Sequence, residues 1–542
     1  MGEPMNYYHL GLAFHIIQFK YSLYSLVTRY GYNIIESPTL QIKTDEMKSI
    51  VGPQINGNYK RSMQYLLLIS VILRWWLVIK GGLYFLPDEL RYEYSRSAVK
   101  LLFQGNSYEA FRLILERPDH IGFKMFGMIP SFFEYLVGFD YPIIAGLLFS
   151  LFSVLNIYLI YRLAIRNQSD QKEAFIAAFI ALSVSTLFYF SRHLQPYDLA
   201  LSFGLLSLYV GIKKKPNYLD TITCSLLGFM AFITYNGYWA FVGYSIIVHI
   251  LHKSHSVYDV GKRALISIIT FVILILSLIA IGNIYRFNIL DMYKSFSLTV
   301  TQGLFSEGWW LPFEYLWHSE KLIFLLLVGL FIYSVLAIDK IELKRIYIWI
   351  GGILFIYLCL FIPSIVFHRF VVYGRTTRQI IPFLILVGAF SLRKIEKHEE
   401  WGRKMLALFI FMIISQAGYN FYQSFILVYP IQFYQSAKSQ YPDFQLSHAS
   451  MDYKYPSICR SNNYLSVNIK YIYPYPEIPP EISSDLLYSA SHPLNFSPYL
   501  YEGFSPSQRK SFRSAEPKME IYRIQEDYED AKIIQDIPRC EP

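Results

Sequence analysis

Eleven apolar stretches separated by short polar joints constrain this 542-residue chain more than any other feature. They cover 65–85, 143–161, 174–190, 199–212, 219–235, 238–251, 264–284, 322–338, 346–366, 380–392 and 405–426. As helices they are long enough to cross, or nearly cross, about 30 Å of hydrocarbon. Inside lipid the backbone must satisfy its own hydrogen bonds, so runs of this kind fold as helices. Composition points the same way: 54% of residues are hydrophobic and 16% charged, whereas soluble domains carry about 25% charged residues. The expected fold is an all-α polytopic membrane protein of about 11 transmembrane helices.

The placement of Lys and Arg orients those helices. A twelfth apolar segment, 121–137, carries Lys124 and Glu134 and would either span or lie flat at the membrane surface. If it lies flat, the joints on one side of the membrane hold 17 Lys and Arg and those on the other, after the first loop, hold 7. Counting it as a span would invert everything after it. The positive-inside rule therefore favours the flat placement. It makes the N-terminal side cytoplasmic and opens a long first outer loop at 86–142. Within that loop, Leu90, Tyr94, Ala98, Leu101 and Leu102 recur at helical spacing, so 90–115 is expected to form one amphipathic helix along the interface. The formal net charge of +9 comes from these scattered joints rather than from one basic face. Nucleic acid is therefore not an expected partner.

The chain divides into an N-terminal accessory or interfacial segment (1–62), a transmembrane domain (63–426) and a small external C-terminal region (427–542). The first segment is broken by Lys20, Arg29 and several Tyr, and lacks the order of a signal peptide. The last is rich in Tyr and Pro and has no long apolar run. Cys224 and Cys359 lie in apolar runs and Cys459 and Cys540 in the tail, without metal-ligand spacing.

Acidic residues recur on the outer face. Pro87-Asp88-Glu89 follows the first apolar run at once, and Asp198 stands in Ser191-Arg192-His193-Leu194-Gln195-Pro196-Tyr197-Asp198 at the next outer turn. Each could simply start a helix, since Pro suits the first turn and acids suit the positive end of the helix dipole. Ionisable groups at membrane depth are costly, however, and two acidic sites on one face point to function. A third outer cluster, His368-Arg369-Phe370 and Tyr373-Gly374-Arg375-Thr376-Thr377-Arg378-Gln379, precedes Ile380-Ile381-Pro382. Its Arg side chains either snorkel at a helix end or capture a phosphate, which guanidinium groups suit with paired donors. Lys124 is a weaker candidate for the same role.

The pattern Leu73-Arg74, Pro87-Asp88-Glu89-Leu90-Arg91-Tyr92 and Ser95-Arg96 resembles the opening of the integral-membrane GT-C glycosyltransferases related to protein O-mannosyltransferases. The lipid A aminoarabinose transferase branch is the most similar. The likeness continues through Asp198, 234–238 and Arg378-Gln379-Ile380-Ile381-Pro382, over about 63–392. It implies an enzyme that moves a sugar from a polyprenyl-phosphate donor to a glycan, lipid or protein acceptor outside the cytoplasmic membrane. Asp88 would be the catalytic carboxylate with Glu89 in support, and Asp198 a second acid. The donor phosphate would be held by Arg91, Lys124, Arg375 and Arg378. No cofactor is required by these residues, although a divalent cation held by Asp88, Asp198 and His193 is the set the resemblance leaves open. His193, Trp309 and Trp310 are the candidates for acceptor contact or a lid, the indoles alternatively belonging to an interfacial belt. The chain departs from these relatives at His120-Ile121-Gly122-Phe123-Lys124, where many have a Pro-rich start, and at Tyr235-Asn236-Gly237, where a Lys is missing.

Two other functions compete. A transporter or flippase of a lipid-linked saccharide would use Arg74 and Lys80 as charges along a path, but transporters often carry internal repeats and none stands out here. A scaffold that only presents the tail leaves the recurring outer acids without a purpose.

Overall fold

The computed structural model describes residues 57–80, 89, 91–116, 120–139, 141–213, 216–254, 256–301, 310–337, 340–361, 366, 374–397, 399–422, 457–461, 464–469, 484–491 and 518–524. The described part of each of the eleven apolar stretches lies largely in helix, with 174–190 broken at Val184. Helix α1 is Gly57–Lys80, and the first outer loop folds as α2 (Arg91–Phe103), α3 (Ser107–Leu115) and α4 (Ile121–Val137). Then come α5 (Ile143–Arg166), α6 (Gln171–Ser183), α7 (Ser185–Phe188), α8 (Tyr197–Gly211), α9 (Tyr218–Thr234) and α10 (Trp239–Leu251). The series ends with α11 (Val257–Ile284), α12 (Ile289–Thr301), α13 (Leu311–Glu320), α14 (Leu322–Ala337), α15 (Lys340–Leu360), α16 (Ile381–Glu396) and α17 (Glu399–Phe421). Four of them, within α1, α5, α11 and α17, are by themselves long and apolar enough to cross a membrane, and α6 with the turns after it makes a fifth if that bent pair is one span.

Polar joints sort the helix ends into two sets. At one end Arg393 of α16 bonds Asp170 before α6, Lys172 of α6 bonds Glu396 of α16, and Arg345 of α15 takes both oxygens of Glu173 of α6. Asn167 after α5 bonds the Arg345 carbonyl, and Lys213 after α8 bonds Asp220 of α9. Neighbouring helices therefore run antiparallel, as short joints require. Their packed faces form an apolar core that includes Leu205, Phe241, Leu327, Phe383 and Ile385. Helix α11 keeps most of its surface outside that core, and Leu265, Ile269, Val272 and Leu276 on it are exposed, as lipid-facing helices are.

Two departures from the sequence reading concern the site. The segment 90–115 is two helices rather than one. Gly105 takes a left-handed conformation (φ 79°) and Asn106 caps α3 by accepting the Glu109 N–H at 3.3 Å. Side-chain periodicity does not register such a turn, because the apolar spacing runs on either side of it. The helix α4 is inside-out: Lys124, Ser131 and Glu134 are buried while Met125, Ile129, Phe132, Phe133 and Leu136 are exposed. Glu134 accepts the Ala145 N–H at 2.8 Å and the Tyr92 hydroxyl at 2.9 Å, which satisfies its oxygens away from water.

In the C-terminal region, β1 (Ser457–Ser461), β2 (Tyr464–Ile469), β3 (Ser484–Ser491) and β4 (Lys518–Ile524) form an antiparallel sheet in the order β1-β2-β4-β3. A bulge lies between Leu486 and Tyr488. Of the segment 1–62, residues 57–62 open α1 and the rest lie outside the described residues.

Candidate functional site

The helix ends opposite the ion-paired joints carry the candidate residues. Helix α6 stops at Val184 and the chain turns by 73° into Ser185–Arg192. The two N–H groups freed by that break, Ser185 and Thr186, are taken by the carboxylate of Glu320, which also accepts the Thr186 hydroxyl. Glu320 is buried, and that burial pushes its carboxyl up to about 7 in spite of these donors. The bend delivers the stretch 189–196 beside the start of α8, so that His193 and Asp198 stand on the same side of the helical core.

Glu89 lies in the joint between α1 and α2 and is fully buried. One oxygen accepts the Leu194 N–H at 2.7 Å and the other faces His193 Nδ1 at 3.3 Å. This couples the first outer loop to the turn before α8 across 105 residues of sequence. Arg91 follows in the first turn of α2, with Nη1 3.2 Å from His120 Nε2. The His120 ring in turn stands 5.4 Å from Tyr235, and Tyr235 5.0 Å from Tyr197.

Asp198 occupies the first turn of α8. Its carboxylate is paired with Arg378 from the 3-10 segment Gly374–Gln379, and its backbone carbonyl accepts both Asn156 Nδ2 at 3.1 Å and Ser202 Oγ at 2.9 Å. Arg378 is fully buried, with its guanidinium 5.1 Å above the Phe190 ring. Burial works against its charge, yet Asp198 beside it outweighs burial and holds the guanidinium above its ordinary value. Arg375 in the same turn is half-buried, donates to the Tyr197 hydroxyl and lies 5.2 Å over that ring. Gln379 ties this turn to the next, donating to Gly237 O at 2.9 Å and accepting the Phe241 N–H at 3.2 Å. The site thus draws on 89–91, 120, 156, 193–202, 235–241 and 374–379, with Asp198 paired to Arg378 and Arg375 in the same turn as Arg378.

The other expected residues are placed less centrally or not described. Lys124 is buried on α4 with its ammonium 5.1 Å from the Tyr94 ring. Trp310 is exposed at the start of α13 and stacks on Phe313 at 5.3 Å. Asp88 and Trp309 lie outside the described residues, as do His368 and Arg369. Among the described residues no group of three or more His, Cys, Asp and Glu could hold a metal ion. Arg74, buried in α1, donates to Ser153 Oγ at 3.0 Å and Ser70 Oγ at 2.6 Å, and its guanidinium lies 4.4 Å from the Phe188 ring. That is anchorage between α1 and α5.

Sequence reasoning passed over Asn156, Ser202 and Glu320. The first was legible as a lone amide inside an apolar run, a position where polar groups are costly. Ser202 stands one helical turn after Asp198. Glu320 gave no signal, because its partners are backbone groups that exist only where α6 breaks.

Against known proteins, the sequence matches no family model and no curated protein.

Proposed function

We propose that the protein is a glycosyltransferase that moves a sugar from a polyprenyl-phosphate donor to a glycan, lipid or protein acceptor at the outer face of a membrane. The observation that supports this most is the union, at one end of the helices, of Glu89 with His193 and of Asp198 with Arg378, with Arg91 two residues after Glu89 and Arg375 in the same turn as Arg378. A phosphate-bearing donor needs cations for its leaving group, and an acceptor hydroxyl needs a carboxylate for its proton. Both kinds of group stand at the helix ends opposite the ion-paired joints, the end that this reading places at the outer face. The opposite, ion-paired end carries the Lys- and Arg-rich joints and is the cytoplasmic one in this reading.

In the proposed reaction the acceptor oxygen attacks C1 of the sugar while Asp88 takes the hydroxyl proton. The C1–O bond to the phosphate breaks, and its electron pair leaves with the polyprenyl phosphate. The single displacement inverts the anomeric centre. Arg375 and Arg378 stabilise the charge that develops on the phosphate, in a site where water is excluded and such contacts are worth most. Asp198 positions Arg378 rather than taking a proton, since its carboxylate is already engaged by that guanidinium. Glu89 fixes the 193–194 turn against the first outer loop.

The test is reconstitution of purified protein in vesicles with a radiolabelled polyprenyl-phosphate sugar and lipid, glycan and protein acceptors. Label appearing in an acceptor fraction is the expected result. Label that crosses the bilayer while still on its carrier would replace this reading with that of a flippase.

A further inference from the structure

At the ion-paired end of the helices, Lys172, Lys213, Arg345, Arg393 and Lys394 each meet a carboxylate. Two arginines of the same end do not. Arg162 and Arg166 stand one turn apart at the end of α5, and among the described residues neither forms an ion pair with an acid. The nearest acids in sequence, Asp170 and Glu173, are engaged by Arg393 and Arg345. Phenols take their place. Arg162 donates from Nη1 to the Tyr158 hydroxyl at 2.9 Å and from Nη2 to the Tyr209 hydroxyl of α8 at 3.0 Å. The Arg166 guanidinium lies 4.3 Å from the centroid of the same Tyr209 ring, and that of Arg162 lies 5.7 Å from it. The two cations therefore share one neighbour in one seam, between α5 and α8. Arg166 Nε is buried without an acceptor. Both side chains are half-buried, as are Tyr158, Tyr161, Ile165 and Tyr209 around them, so the seam reaches the protein surface.

Like charges four residues apart on a helix repel each other. The dipole at the end of α5 favours a cation in the last turn, which accounts for Arg166. It does not account for a second guanidinium one turn earlier, held by two hydroxyls against the same ring. A phenol is neutral and compensates neither charge. An anion that accepts paired donors would compensate both, and phosphate oxygens suit guanidinium groups in this way. Location narrows the source of that phosphate. Helix α5 is long and apolar enough to cross a membrane, so its last turns stand at a membrane face, the cytoplasmic one by the distribution of Lys and Arg. Basic seams between spanning helices at that face suit the headgroups of anionic lipids. The half-buried rings and Ile165 beside the two cations give an acyl chain an apolar flank.

We propose that Arg162 and Arg166, braced by Tyr158 and Tyr209, bind the phosphodiester of an anionic phospholipid in the cytoplasmic leaflet. The assignment rests on the helices spanning a bilayer and is independent of the glycosyltransferase reading.

The experiment titrates phosphatidylglycerol and phosphatidylethanolamine of distinguishable mass into the purified protein in neutral detergent and counts retained lipids by native mass spectrometry. Wild type, Arg166→Gln and the double variant Arg162→Gln with Arg166→Gln are compared. Wild type should hold one phosphatidylglycerol more tightly than phosphatidylethanolamine, whose phosphate stands beside an ammonium that the arginines repel. Arg166→Gln should raise the Kd for phosphatidylglycerol about fivefold, the worth of one Arg near an anionic headgroup. The double variant should hold the two lipids alike. Phosphatidylglycerol should raise the melting temperature of wild type and not that of the double variant. In detergent alone Arg166→Gln should melt no lower than wild type, because a like-charge repulsion is relieved. Equal retention of the two lipids by wild type would overturn the assignment without recourse to any variant, so a variant that fails to fold does not shield it. An unchanged lipid preference in the folded double variant would overturn it too. Displacement of phosphatidylglycerol by inorganic phosphate would overturn it in favour of a soluble phosphate ligand.

Discussion

Arg378→Met tests the pair on which the site depends. The substitution leaves the Asp198 side chain, 6% exposed, without its only charged hydrogen-bond partner among the described residues. Asn156 Nδ2 reaches the same oxygen only at 3.5 Å, too far to replace a guanidinium. Removing one partner of a buried ion pair costs about 3–5 kcal/mol, because the remaining charge is uncompensated. At about 1.4 kcal/mol per factor of ten, the unfolding equilibrium should shift by roughly two to four decades. Asp198→Leu should cost a similar amount by stranding Arg378. The double variant Arg378→Met with Asp198→Leu should recover most of the loss, since replacing both charges by apolar side chains of similar volume is often close to neutral. The assay is dodecyl sulfate unfolding of the purified protein in mixed micelles, run as a double-mutant cycle. A double variant as unstable as the sum of the two single variants would refute the reasoning, for the two charges would then not be each other's compensation.

Further outcomes follow from other contacts. Glu320 has its carboxyl pushed by burial from an ordinary 4.5 to about 7, so between those values the folded protein keeps a proton that the unfolded chain has released. Stability should fall as pH rises through that window and level off above it, and Glu320→Gln should flatten the slope in thermal melts across pH. In Gly122→Ala a Cβ would stand 2.5 Å from Thr234 Oγ1 and 3.0 Å from the Thr234 backbone, so the helix α4 should be forced away from α9 at a cost of about 1–3 kcal/mol, read by the same unfolding titration. Glu173→Gln removes the charge facing Arg345 at the opposite helix ends while keeping one acceptor, and since the Glu173 side chain is 7% exposed it should lower stability by about 1–3 kcal/mol while leaving kcat/KM for transfer unchanged.

Much of the helical framework was legible because apolar runs of the required length have one way to satisfy their backbones. The joints were legible in part through charge: Lys172, Lys213, Arg345 and Arg393 were read as basic joints, whereas their acidic partners Glu396, Asp220, Glu173 and Asp170 were not. What escaped the sequence is set by contact rather than by period. The turn at Gly105 divides a helix without disturbing its apolar spacing. The inward Lys124 and Glu134 of α4 reverse the usual amphipathic sense, because lipid rather than water can lie outside. The pairing of Asp198 with Arg378, 180 residues apart, assigns a partner to an acid and a cation that had been read separately, one for proton transfer and one for phosphate. The bend at Val184 depends on Glu320, and nothing local in 171–192 announces it.

The proposed mechanism rests on Asp88, and its most direct measurement is transfer of labelled sugar from a polyprenyl-phosphate donor by wild type and Asp88→Asn side by side. Removal of a general base is expected to lower kcat by roughly 10²–10⁴ with donor binding retained. Transfer by Asp88→Asn at the wild-type rate would contradict the proposed mechanism.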